Sequence, residues 1–193
     1  MFYKVCKMIL RFFMLFVFRF EFRGQENIPK DGGVIIAYNH RSNWDPVVAG
    51  FSARRPLTFM AKEELFKNPL FGALIKGLGA FPVHRGRGDI GAVKAALNIL
   101  KDGKAMLMFP EGHRIKNNKK VKAKPGVALI AQRAGVSVIP ACISGEYKWM
   151  HKITVTYGKP ITFEEYYGQK IGQEKIQNLA DNVLETIRSL ESI

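Results

Sequence analysis

Short apolar runs alternate with amphipathic stretches along most of the chain. Two runs, Val34–Tyr38 and residues 105–109, have the uninterrupted apolar character of strands that are buried on both faces. Further strands are predicted at residues 137–141 and 153–157, and helices at residues 62–76, 91–100, 126–134 and 173–190. Strands that alternate with helices favour an α/β fold, here a single domain whose mostly parallel or mixed central sheet is flanked by helices.

The first 23 residues have a different pattern. They are predicted to form an N-terminal amphipathic helix ahead of one domain over residues 24–193. Their longest uncharged run, residues 12–18, would extend only about 10 Å as a helix, against about 30 Å for a bilayer core. On a helical wheel the basic group is Lys4, Lys7, Arg11 and Arg19, and the group lying mainly opposite is Phe2, Ile9, Phe13, Phe16 and Phe20. This arrangement is typical of a helix in the surface of an anionic membrane, although packing on the domain's own core is an alternative.

The charge balance indicates an anionic partner. The 193 residues include 30 Lys and Arg against 16 Asp and Glu, a net charge of +14. Such an excess suits nucleic acid, a phospholipid surface or a phosphorylated substrate. The two cysteines, Cys6 and Cys142, cannot build a disulfide framework or a closed zinc site, and they favour a reducing compartment.

Polar residues follow the first buried strand. His40 and Asp45 are five residues apart, so they do not share a helix face and can meet only where the chain turns between them. Pro46 suits the first turn of a helix, which makes Asp45 a candidate helix N-cap. The other interpretation is a His–Asp pair, in which the carboxylate fixes the imidazole tautomer for proton transfer. Both interpretations stay open from spacing alone.

The second buried strand leads into the sequence Phe-Pro-Glu-Gly-His-Arg at residues 109–114. Gly112 allows the backbone to approach a ligand closely, and Arg114 can bind a phosphate through two parallel hydrogen bonds. Residues 79–85 lie between the two polar segments and end in a second candidate phosphate-binding arginine, Arg85. Because ligands bind outside the carboxyl ends of parallel strands, the residues that follow Tyr38 and Phe109 are the first candidates for a site.

These segments resemble, in order and spacing, the motifs of the glycerolipid acyltransferase family, particularly the bacterial-type lysophosphatidic acid acyltransferases. The family's first motif, Asn-His-x-Ser-x-x-Asp, is matched by Asn39, His40, Ser42 and Asp45. Its third, Phe-Pro-Glu-Gly-(Thr/Ser)-Arg, is matched by Phe109, Pro110, Glu111, Gly112 and Arg114. Less specific matches to its second and fourth motifs are residues 79–85 and 138–140. His113 departs from the usual small hydroxyl residue, and His84 stands where an acid is common.

The resemblance implies an O-acyltransferase that moves a fatty acyl group from a thioester to the free hydroxyl of lysophosphatidic acid, giving phosphatidic acid. His40, oriented by Asp45, would remove the hydroxyl proton, and Ser42 or backbone N–H groups near Pro46 would stabilise the oxyanion. The residues implied to organise the phosphate end are Arg85, Glu111, Gly112 and Arg114. Another glycerophosphate or lysophospholipid acceptor is the alternative.

No cofactor or metal is implied; acyl-CoA or acyl-acyl-carrier-protein is the co-substrate. The expected location is the cytoplasmic face of a membrane, with the phospholipid surface as a partner. The basic run at residues 114–124 fits phospholipid headgroups or an acidic acyl carrier protein.

Several features admit other interpretations. Residues 86–91 spell Gly-x-Gly-x-x-Gly, but they lack the strand and the acid that a dinucleotide site requires. A metal site formed by three histidines and Asp45 would have spacings unlike those of compact zinc sites; the histidines are His40, His84 and His113. Cys142 is expected to be a buried residue beside a strand rather than a nucleophile.

Nucleic-acid binding is an interpretation from a different functional class, and it would account for the charge. Base-stacking surfaces interleave aromatic and basic side chains. Here the phenylalanines gather in the N-terminal segment, and the basic run at residues 114–124 contains no aromatic residue. The distribution therefore favours a membrane surface over nucleic acid.

Overall fold

A computed structural model of the chain describes residues 2–83, 90–115 and 121–192. The helices in these ranges are α1 (Phe2–Val17), α2 (Asp45–Ser52), α3 (Pro69–Gly77), α4 (Ile90–Lys101), α5 (Gly126–Ala134) and α6 (Gln173–Ser189). The strands are β1 (Arg19–Arg23), β2 (Val34–Tyr38), β3 (Leu57–Lys62), β4 (Ala80–Val83), β5 (Ala105–Met108), β6 (Val138–Ser144) and β7 (Lys152–Tyr157).

These strands form a single mixed sheet with the order β1-β7-β6-β2-β5-β3-β4. The pair β6 and β7 is antiparallel, whereas the other described pairs are parallel. β2 lies between β5 and β6, and all five of its residues are buried. The carboxyl ends of β2 and β5 therefore lie side by side, which brings the segments after them to one edge of the sheet.

Two hydrophobic layers cover the sheet. Alternate residues of β2 point to opposite faces: Ile36 packs in a cluster that includes α1 and α2, and Ile35 in a cluster that includes α4, α5 and α6. Burial on both faces explains why β2 reads as a continuous apolar run. The predicted α/β fold with a mixed sheet between helices is confirmed.

The predicted strands at residues 105–109, 137–141 and 153–157 correspond to β5, β6 and β7. The helix predicted at residues 126–134 matches α5, which ends at Gly135 in a left-handed conformation with φ 65°. The helix predicted over residues 62–76 is wrong in its first half. β3 extends to Lys62, and α3 begins only at Pro69, where the side chain of Asn68 accepts a hydrogen bond from the Phe71 N–H at 3.0 Å.

The N-terminal segment also differs from its prediction. The helix expected over residues 1–23 ends at Val17, and Arg19–Arg23 form the edge strand β1. In β1, charged residues alternate with Phe20 and Phe22, and these phenylalanines pack against the hydrophobic cluster under α1 and α2. Arg19 and Phe20 therefore belong to the sheet rather than to the helix.

α1 packs on the domain and also exposes apolar surface. Met14 is 3% exposed, and Leu10 and Val17 pack against the same cluster. We call the outward-facing side chains the exposed apolar face of α1: Val5, Met8, Ile9, Phe12, Phe13, Leu15 and Phe16. Within the described residues, no helix has the length and apolarity needed to cross a membrane.

Candidate active site

His40 and Asp45 meet at the carboxyl edge of the sheet. His40 follows β2, and the chain turns back so that its Nδ1 lies 3.0 Å from Asp45 Oδ2. Because a carboxylate oxygen accepts hydrogen bonds, this contact calls for the tautomer in which Nδ1 carries the proton. Nε2 then has a free lone pair, and it has no hydrogen-bond partner among the described residues. The side chain of His40 is 16% exposed, so part of it is accessible from outside the protein.

The carboxylate of Asp45 organises the turn between the two residues. Its Oδ2 also accepts the backbone N–H groups of Arg41 and Ser42, each at 2.6 Å, and its Oδ1 accepts the hydroxyl of Tyr147 at 2.7 Å. Asp45 is 1% exposed, so these bonds replace the water that the buried charge has lost. Asp45 is the first residue of α2, and Trp44 is the N-cap. The prediction that Asp45 pairs with His40 is therefore correct in its geometry, and the alternative that Asp45 is the helix N-cap is wrong.

The backbone of His40 is fixed on both sides by neighbouring chain segments. Asn39 donates to the carbonyl of Ile143 in β6 at 2.9 Å and accepts the Ile143 N–H at 2.7 Å. The carbonyl of His40 accepts the N–H of Ile115 at 2.8 Å. These bonds join the ends of β2 and β6 to the segment after β5.

The segment after β5 supports the imidazole itself. The ring of Phe109 stacks on that of His40, with centroids 4.0 Å apart and planes inclined by 17°. Glu111 Oε2 accepts the backbone N–H of His40 at 2.6 Å. Glu111 is 6% exposed, so this carboxylate is committed to the protein backbone, a contact that the sequence did not indicate. A phosphate-organising role for Glu111 stays a prediction.

Burial raises the pKa of Glu111 above its usual range, although the backbone hydrogen bond from His40 opposes the rise. A carboxyl group whose pKa is higher in the folded state binds its proton more tightly there. Folding is therefore favoured below the pKa of the unfolded chain, and this contribution is lost as the pH rises through the folded pKa.

For Glu111→Gln we accordingly expect a thermal midpoint above that of the wild type at pH 8 and a much smaller difference at pH 4. An amide oxygen can still accept the His40 N–H, and it carries no charge to desolvate. Thermal unfolding of both proteins across this pH range measures the difference. A difference in thermal midpoint that grows towards acidic pH would contradict burial of the charged carboxylate as the cause.

The other predicted site residues lie nearby where the structure describes them. Ser42 Oγ accepts the Trp44 N–H at 3.2 Å, which leaves its hydroxyl proton available for a ligand. Gly112 has a φ of 73°, a backbone conformation that favours glycine, and it lies in the exposed turn that also carries Arg114. Arg85 lies outside the described residues, so its predicted role stays a prediction.

Comparisons with known proteins identify the family of the chain. The Acyltransferase family model matches residues 19–144, about two thirds of the chain. The chain belongs to this family. The match runs from β1 to the end of β6, so it includes both segments of the site. The chain is an O-acyltransferase, as the resemblance of its motifs implied.

Individual members of the acyltransferase family are similar over most of the chain. A 1-acyl-sn-glycerol-3-phosphate acyltransferase from Streptococcus pneumoniae is 32% identical over 179 residues, which are 89% of this chain and 66% of that protein. One of the same name from Bacillus subtilis is 28% identical over 98% of this chain and 97% of its own length.

A solved acyltransferase structure has the same fold. The crystal structure of the 1-acyl-sn-glycerophosphate (LPA) acyltransferase PlsC from Thermotoga maritima superposes with a TM-score of 0.75 at 27% identity. The match covers 99% of this chain and 80% of that one.

Sequence reasoning missed one residue of this acyltransferase site, Tyr147. It lies in the loop between β6 and β7, 102 residues from Asp45, and only the tertiary fold brings the two together. The sequence around Tyr147, a short loop after the apolar strand β6, does not indicate a contact with Asp45.

The structure also bears on two further sites considered from the sequence, a cysteine nucleophile and a metal site. Cys142 is buried in β6, and burial raises the pKa of its thiol to about 12, so the thiolate needed for nucleophilic attack is disfavoured. Within the described residues, no group of three or more His, Cys, Asp and Glu side chains could hold a metal ion. His84 and the glycines of residues 86–88 lie outside those residues.

Proposed function

We propose that this acyltransferase transfers a fatty acyl group from a thioester to the free hydroxyl of lysophosphatidic acid and so forms phosphatidic acid. The observation that carries the proposal is the His40–Asp45 pair, with Nε2 of His40 unpartnered among the described residues and the side chain of His40 partly exposed. The names of the Streptococcus, Bacillus and Thermotoga relatives support this choice of acceptor.

In the proposed reaction, His40 acts as the general base and no covalent enzyme intermediate forms. Nε2 takes the proton of the acceptor hydroxyl while the hydroxyl oxygen attacks the carbonyl carbon of the thioester. Collapse of the tetrahedral intermediate breaks the C–S bond, and the proton held by His40 passes to the departing sulfur. Asp45 stabilises the imidazolium between these two transfers, and Ser42 is a candidate donor to the oxyanion.

The phosphate of the acceptor is proposed to bind Arg114. Arg114 is exposed in the turn after β5, and the Ile115 N–H that follows it bonds to His40. An arginine there can bind a phosphate bidentately and neutralise part of its charge. Arg85 is proposed as its partner on the strength of the motif alone.

We also propose that the enzyme works at a phospholipid surface, with the exposed apolar face of α1 inserted among the lipids. Phe12 and Phe16 are each 61% exposed, and their rings pack edge to face with centroids 4.8 Å apart. A lipid acceptor reaches such an enzyme most directly from the membrane plane. The net charge of +14 favours an anionic surface. Location on the cytoplasmic face stays a prediction.

Replacing both Phe12 and Phe16 by Ser is expected to weaken binding to vesicles of anionic phospholipid by about tenfold or more. Full burial of one such ring is worth about 1.5–3 kcal/mol, so even partial insertion of two rings gives an effect of this size. Cosedimentation with vesicles measures the binding. The control is Ile90→Ser, which removes an even more exposed apolar side chain, 81% exposed, from α4 in the opposite layer. Equal losses in the two variants would contradict a specific role for α1.

The direct test of the reaction uses purified protein in detergent with labelled lysophosphatidic acid. Long-chain acyl-CoA and acyl-acyl-carrier-protein are supplied in parallel reactions, and the faster one identifies the preferred donor. Glycerol 3-phosphate and a lysophospholipid with a larger headgroup are tested as competing acceptors. Faster acylation of either of these would replace the proposed acceptor, whereas phosphatidic acid as the main product supports it.

A further inference from the structure

The two oxygens of Asp45 have different partners. Oδ2 faces the turn and accepts the His40 ring and two backbone N–H groups. Oδ1 accepts the hydroxyl of Tyr147 at 2.7 Å. Rotation about the Cβ–Cγ bond moves both oxygens of the carboxylate, so the bond at Oδ1 adds to those at Oδ2 in fixing its plane. The plane of Asp45 in turn sets the direction of its bond to His40.

The hydroxyl of Tyr147 acts as a donor in this contact. Burial raises the pKa of Tyr147 well above its usual range, and the neighbouring charge of Asp45 adds to the rise. The phenol therefore keeps its proton at neutral pH and donates it to the carboxylate oxygen, which can only accept.

The ring of Tyr147 is held from its other side by the end of α1. Phe18, the residue after this helix, packs edge to face with it at a centroid distance of 5.7 Å. The loop that carries Tyr147 is tied to the same helix end, because the Met150 N–H donates to the Val17 carbonyl at 2.8 Å. Contacts therefore run from the N-terminal helix through Phe18 and Tyr147 to Asp45.

We propose that Tyr147 is a positioning residue that fixes the Asp45 carboxylate, and through it the imidazole of His40, for proton transfer. It touches neither the acceptor nor the thioester and acts only through Asp45. This inference rests on the proposed roles of His40 and Asp45, and it adds a third residue, supplied by the loop between β6 and β7.

The first test compares Tyr147→Phe with Tyr157→Phe. Each change removes one hydroxyl and keeps the ring, but the hydroxyl of Tyr157 bonds to Ser52 at 2.7 Å and to Tyr38 at 2.9 Å rather than to the pair. We expect Tyr147→Phe to lower kcat for acyl transfer by about tenfold to about a hundredfold, with KM for lysophosphatidic acid changed less than about twofold. Tyr157→Phe is expected to leave kcat within about twofold of the wild type. Equal kcat values in the two variants would overturn the proposal.

A double-mutant cycle tests whether Tyr147 acts through Asp45. In an Asp45→Asn background, adding Tyr147→Phe is expected to lower the remaining kcat by less than about twofold, because its target has already been altered. A further loss as large as that in the wild type would show that Tyr147 acts independently of Asp45, and the proposal would fail.

The last measurement does not depend on turnover. In protein labelled with ¹⁵N at its four histidines, the ring proton on Nδ1 of His40 is identified by its loss in His40→Ala. Tyr147→Phe is expected to shift this resonance or broaden it by exchange, and Tyr157→Phe to leave it in place. An unmoved resonance in Tyr147→Phe would reject the positioning role. Should the wild type fail to acylate lysophosphatidic acid, the proposed function fails, and this spectrum still decides the inference.

Discussion

His40→Ala is expected to lower kcat for acyl transfer by about two to four orders of magnitude, the usual cost of losing a general base. The change removes the only group of the His–Asp pair that can take the acceptor proton. It leaves both backbone bonds of residue 40, to Glu111 and from Ile115, because these use the N–H and the carbonyl rather than the ring. The site should therefore stay folded while its chemistry is lost. Steady-state kinetics and circular dichroism on the same preparation measure the two effects.

The matched control for this variant is His151→Ala. The side chain of His151 is half exposed, and its Nδ1 lies 3.9 Å from Glu146, in the same loop as Tyr147 but outside the pair. We expect its kcat to stay close to that of the wild type. A folded His40→Ala protein that kept most of its turnover would remove His40 from the mechanism, whatever the behaviour of the control.

The second large effect is expected at Asp45, and it has two parts. Asp45→Asn keeps the size of the side chain but removes the charge that stabilises a protonated His40, so kcat should fall by about two to four orders of magnitude. Asp45→Ala additionally leaves the N–H groups of Arg41 and Ser42 and the Tyr147 hydroxyl without their acceptor. An unsatisfied buried donor costs about 1–3 kcal/mol, and because these three are only partly buried and can regain some water, we expect the free energy of unfolding to fall by about 2–5 kcal/mol.

Denaturant unfolding of Asp45→Ala and kinetics of Asp45→Asn measure these effects. Asp102→Asn is the control, because the Asp102 carboxylate is 60% exposed and its ion pair with Lys104 lies on the surface. Its stability is expected to stay within about 0.5 kcal/mol of the wild type. Wild-type stability in Asp45→Ala would contradict the organising role of the carboxylate in the turn.

Much of the fold could be predicted because buried strands and helix ends have recognisable local sequence patterns. β2 is buried on both faces and appears as five apolar residues, and α5 ends where Gly135 can adopt a left-handed conformation. The predicted element boundaries were wrong where apolar and charged residues are interspersed. In β1, charged residues alternate with Phe20 and Phe22, so the apolar pattern of α1 runs on into the strand without a break. The charged residues after β3 likewise give no sign of the boundary between this strand and α3.

The same contrast holds within the site. The sequence supplied His40, Asp45 and the segment from Phe109 to Arg114, because their motifs are local and follow strands whose carboxyl ends must meet. It left open whether Asp45 paired with His40 or capped a helix, since both interpretations fit the same spacing. The structure decided this through three donors converging on Oδ2 of Asp45.

The sequence by itself determined the α/β class, the positions of the central strands along the chain and the two candidate residues His40 and Asp45, because apolar periodicity and short motifs are properties of neighbouring positions. Only the tertiary structure decided the burial of the Glu111 carboxylate against the His40 backbone, the contact of Tyr147 with Asp45, and the direction in which α1 exposes its apolar face. These contacts join residues that are far apart in the chain, and no local pattern specifies which distant surface a side chain will meet.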